Sequence, residues 1–68
     1  FMQKKYDEAQ HWLEKAWNRS KDAEIAAHLG ELYWVRGMKE EARKVWSQGQ
    51  SLDPHYAQWP LLRKKYSP

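Results

Sequence analysis

Cysteine is absent from this 68-residue chain, which excludes disulfides and thiolate metal sites and removes the usual sign of redox compartment. Glycine and proline are scarce, three of each, so no low-complexity linker is present and each of these residues marks a particular place. No apolar run approaches the roughly 20 residues of a membrane span, and no charged-then-apolar leader opens the chain. Catalytic signatures are missing as well. Of the three histidines, His11, His28 and His55, His28 shares a helix face with an acid, Glu31, and two groups make neither a metal site nor a catalytic device. No HExxH, nucleophile elbow or phosphate-binding glycine loop occurs. The expectation is a chain that is not an enzyme and carries no cofactor.

Aromatic residues are plentiful: five Trp, four Tyr and one Phe. A chain of this length buries only about 60% of its unfolded surface, so the large rings are expected to supply much of the core.

Helical periodicity organises them. Tyr6, Ala9, Leu13, Ala16 and Trp17 recur at spacings of three and four, which predicts an amphipathic helix over 6–19. Asp22 offers an N-cap for a second helix. On it Ala26, Leu29, Gly30 and Tyr33 share one face, and Ile25 and Leu32 add a second apolar flank, so this helix is expected to be sandwiched. Arg36 suits the C-terminal dipole, and Gly37 suits a left-handed residue that ends the helix. Met38, Ala42, Val45, Trp46, Gly49 and Leu52 repeat the spacing in a third helix, which Asp53-Pro54 stops. Pro60 is welcome only in a first turn, so a short fourth helix is placed at 60–66. Short loops imply antiparallel neighbours. A glycine inside a helix costs roughly 1 kcal/mol relative to alanine. Gly30 is therefore expected where a facing helix comes close, with Ala42 as the small residue opposite.

Residues 23–56 carry Leu29-Gly30-x-x-Tyr33, then Gly37, then Ala42-x-x-x-Trp46, then Pro54. This resembles the 34-residue tetratricopeptide repeat, whose pattern is W-x2-L-G-x2-Y, A-x3-F and P. Two positions depart: Ala26 stands where a large aromatic is common and Gly49 where alanine is usual, so looser packing is expected there. Tyr6-Asp7-Glu8-Ala9 with Leu13 and Ala16 is similar to the second helix of a preceding repeat, with a linker one residue short and no closing proline. The resemblance implies an all-α fold of antiparallel helix hairpins in a helical solenoid, about one and a half repeats plus a C-terminal cap. In that division 6–19 is half a repeat, 23–56 a full one and 57–68 the cap and tail, all in a single unit over 1–68. Residues 1–3 would end a further helix, and the chain, opening on Phe1, is expected to be a fragment of a longer protein. Loss of a first helix would uncover Phe1, Trp12, Leu13 or Trp17, so self-association through that end is expected.

For function, the resemblance implies a protein–protein interaction scaffold or adaptor whose first helices line a concave wall. Here that selects Glu24, Ala27, Glu31, Trp34 and Val35 as partner-binding residues, and the helical wheel places His28 with them, on the side opposite Ala26, Leu29, Gly30 and Tyr33. Some tetratricopeptide domains grip a carboxylate terminus with cations at such positions. None is available among these six, so a basic or apolar peptide partner is expected, with Trp34 as its anchor. The alternatives are a basic helical nucleic-acid-binding module and a purely structural cap of a longer array. Net charge is +3. Residues 1–34 hold five basic against six acidic residues and 35–68 hold seven against three. The excess includes Arg63, Lys64 and Lys65 at a helix end, which complements a dipole more readily than it makes a phosphate footprint. Residues 23–34 are also similar to the C-terminal repeats of bacterial tetratricopeptide lipoproteins. That likeness would imply a periplasmic, outer-membrane-anchored parent, and a cytoplasmic one otherwise.

Overall fold

The structure, a computed structural model, describes residues 2–66, with side chains from residue 5 onward. Four helices account for it: α1 (Met2–Arg19), α2 (Ala23–Val35), α3 (Lys39–Leu52) and α4 (Gln58–Tyr66). The described residues contain no strand. Helix α1 begins earlier than its apolar stripe, because Met2, Gln3, Lys4 and Lys5 include no breaker and favour continued helix. Residues 2 and 3 therefore belong to α1 rather than to a separate helix, and Phe1 lies outside the described residues. Helix α4 likewise starts two residues before Pro60, which falls in the first turn, where its missing N–H costs nothing.

The caps follow local chemistry. Asp22, extended at φ −119° and ψ 135°, accepts the Glu24 amide at 2.9 Å. At the other end of α2, Gly37 takes φ +83°. Its N–H donates to the Trp34 carbonyl at 3.0 Å and the Met38 N–H to that of Tyr33 at 2.8 Å. This is the paired bonding of a Schellman motif, which requires a left-handed residue at that position.

Helix α2 is the centre, packing against α1, α3 and α4. Its two apolar flanks demand this, and the contacts set the directions. Tyr33 meets Glu14 and Arg36 meets Gln10, so α1 and α2 are antiparallel. Trp46 lies on Gly30, and Gly49 on Ala26, so α3 is antiparallel to α2. Trp59 sits near Ala26 and Tyr66 near Trp34, so α4 runs in the same direction as α2. A continuous core joins Trp17, Ala23, Ala26, Ala27, Leu29, Val45, Trp59 and Leu62.

Gly30 has a different neighbour from the one expected. A Cβ on Gly30 would run into the Trp46 indole, not into a helix backbone at Ala42. The glycine makes room for a ring, whose Nε1–H donates to the Ala27 carbonyl at 3.2 Å. Gly49 is wedged between Ala26 and Trp59: an added Cβ would lie 2.7 Å from each. The packing at these departures is not loose. Ala26 is 0% and Trp59 4% exposed, because the large ring comes from α4 instead of from the start of α2. The Trp59 Nε1–H donates to the Asp53 carbonyl at 2.7 Å, which ties α4 to the end of α3.

Candidate interaction surface

The six residues of the expected wall divide by their angle around α2. At 100° per residue, Glu24, His28, Glu31 and Val35 fall on one straight stripe, while Ala27 and Trp34 are turned some 60–80° away, towards α3 and α4. The structure follows this division. Glu24, His28 and Val35 are exposed, Val35 at 57%. Ala27 is only 3% exposed, so its side chain offers no contact to a partner.

Trp34 is half-buried in a triangle of rings. It stacks on Trp46 at 5.8 Å between centroids and tilts against Tyr66 at 5.5 Å, and Trp46 stacks on Tyr66 at 5.7 Å. Such pairs are worth about 0.5–1.5 kcal/mol each beyond their area. The triangle holds the last turns of α2 and α4 together.

Glu31 is held by α4. The Tyr66 hydroxyl donates to its carboxylate at 2.7 Å and Lys65 Nζ at 3.1 Å. Partial burial acts to raise the Glu31 pKa, but these two hydrogen bonds, with the charges of Lys65 and His28, outweigh it and leave it below its ordinary value. Burial, followed by the hydrogen bond to Glu31, moves the Tyr66 hydroxyl upward, so it stays a donor at neutral pH.

These contacts revise the electrostatics. The six positions themselves hold no lysine or arginine, but the tertiary structure brings three cations to them. Lys65 pairs with Glu31, Lys39 Nζ stands 5.1 Å over the Trp34 ring, and the Arg43 guanidinium stands 5.8 Å over it. Glu24 and Glu31 therefore do not set the sign of this face by themselves: the Glu24 end remains acidic and the Trp34 end is basic. Lys39, Arg43, Trp46, Lys65 and Tyr66 were not among the expected wall residues. A signal for three of them was present, because Lys39, Arg43 and Trp46 lie four and three residues apart on one stripe of α3. The reach of α4 onto Glu31 had no such signal.

On the α1 side the expectation of exposed rings narrows to one. Trp17 is buried, and Leu13 is half-buried and packed on the core; Phe1 lies outside the described residues. Of the three that are described, Trp12 alone stands out, at 73% exposed. Arg36 does more than complement a dipole: it ion-pairs with Asp7 and donates to Gln10 at 2.7 Å. Among the described residues no cluster of three His, Asp or Glu could hold a metal ion, and no helix is long and apolar enough to cross a membrane. No family model, curated protein or solved structure matches the chain.

Proposed function

We propose that this chain is an interaction module of the tetratricopeptide type, which takes a protein or peptide segment along the exposed stripe of α2. The fold reading is supported by Gly30 seated on Trp46, by the Gly37 turn, and by α4 running alongside α2 as the first helix of a next repeat would. The functional reading rests on one observation. Val35, a large apolar side chain, stands 57% exposed on the same stripe as Glu24 and His28, beside a rigid aromatic cluster. From Glu24 to Val35 the stripe runs about 16 Å, which an extended segment of about five residues would span.

The chemistry of that segment follows from the charges. Glu24 lacks an ion-pair partner among the described residues, so it favours a basic side chain, whereas Glu31 is already neutralised by Lys65. Val35 takes an apolar residue. On this face a nucleic-acid reading would need an open ring for base stacking, and the Trp34 ring is packed by Trp46, Tyr66, Lys39 and Arg43.

A random peptide display library selected on the parent chain, on Val35→Glu and on Glu24→Lys tests this. The expected result is enrichment of peptides pairing a basic with an apolar residue, lost on Val35→Glu and stripped of its basic preference on Glu24→Lys. The same peptides on all three chains, or no enrichment beside tight binding of a single-stranded RNA, would reject the reading.

A further inference from the structure

A second surface lies on another side of α2. Between the C-terminal half of α1 and the start of α2 runs an open groove of about 800 Å³. Trp12 and Ala16 from α1 and Ile25 from α2 make its apolar part, while Lys15 and Arg19 border it with polar Asn18 and Ser20. Among the described residues Trp12 is the most exposed of the large apolar side chains. Ile25 belongs to the α2 flank that requires cover. The groove thus combines an apolar part, made by Trp12, Ala16 and Ile25, with two cations and no carboxylate in its lining.

The geometry points to an acidic amphipathic helix of a partner protein as the occupant of this groove. Charge complementarity selects it. Neither Lys15 nor Arg19 enters an ion pair among the described residues. The acidic side chains beside it stand outside the lining: Glu14 accepts from Tyr33 and Gln10, and Asp22 accepts the Glu24 amide. A helix rather than a strand fits, because it satisfies its own backbone and the groove supplies only side chains. A second copy fits poorly. Back to back, it would set its own Lys15 and Arg19 against these cations, and through α4, where Leu61 is exposed, it would bring Arg63, Lys64 and Lys65. Either approach adds like charge to like. This inference does not rest on the α2 stripe, and the two are tested separately.

The probes are three dye-labelled helical peptides of about 14 residues with one leucine stripe and flanks of glutamate, glutamine or lysine, titrated by fluorescence anisotropy. The glutamate peptide is expected to bind about fivefold more tightly than the glutamine peptide, as two partly exposed ion pairs allow. That advantage should shrink at high salt. Trp12→Ser should abolish binding while leaving the helical circular dichroism intact, and Lys15→Glu with Arg19→Glu should transfer the preference to the lysine peptide. Val35→Glu should leave binding of the glutamate peptide unchanged, and any lysine-peptide binding that it removes belongs to the α2 stripe. Equal binding of all three peptides, binding indifferent to Trp12→Ser, or a concentration-dependent dimer dissolved by Trp12→Ser in sedimentation would overturn the proposal; the last would assign the groove to a second copy.

Discussion

Replacing Gly30 by alanine sets two effects of known sign against each other. A methyl group in mid-helix gains about 1 kcal/mol of helix propensity over glycine. Here it would also overlap the Trp46 indole. That ring cannot simply turn aside, since its Nε1–H is bonded to the Ala27 carbonyl and both Trp34 and Tyr66 are stacked on it. Overpacking of this kind costs about 1–3 kcal/mol, and loss of the indole hydrogen bond about 1 kcal/mol more. The clash therefore wins, by about 1–3 kcal/mol net. For a domain of this size that lowers the melting temperature by about 5–20 °C, read by far-ultraviolet circular dichroism. A double-mutant cycle isolates the cause. With Trp46→Leu in place the obstacle is gone, and Gly30→Ala should become neutral or stabilising by up to about 1 kcal/mol. A parent-like or higher melting temperature for Gly30→Ala alone, or the same loss in both backgrounds, would refute the ring-on-glycine packing.

Gly37→Ala meets open space but must adopt φ +83°, so it should cost about 1 kcal/mol by strain alone without altering tryptophan emission; an unchanged urea midpoint would contradict the Schellman turn. Tyr33 joins α2 to α1 by donating to Glu14 at 2.7 Å, and burial, followed by that bond and the Glu14 charge, raises its pKa above the ordinary 10.0. Because the folded pKa is the higher, this contribution to stability is complete below pH 10 and fades as pH climbs beyond it towards the folded value. Tyr33→Phe should lower stability at neutral pH by about 1 kcal/mol and flatten the alkaline fall seen in denaturant titrations at several pH values. An equally steep fall in the variant would remove Tyr33 as its source.

Helix existence, order and caps were legible in the sequence, because they depend on neighbours within a few residues. The spacing of Leu13, Ala16 and Trp17, the Asp22 cap, the Gly37 turn and the Asp53-Pro54 stop each act through local geometry, and all appear where the pattern puts them. The double apolar flank of α2 announced a central helix for the same reason, since periodicity alone shows that two sides need cover. The identity of the cover was not contained in that pattern. Whether Gly30 faces a backbone or a ring, and whether Ala26 leaves a gap or admits Trp59, depends on residues 16 and 33 positions further along the chain. The six wall residues show the same division. Their stripe on α2 is a property of 100° per residue, while the closure of Glu31 by Lys65 and Tyr66 and the placing of Lys39 and Arg43 over Trp34 needed α3 and α4 to be packed. Spacing determines which side chains share a face. Only the tertiary structure brings charges from distant segments to it, and those charges decide which partner that face favours.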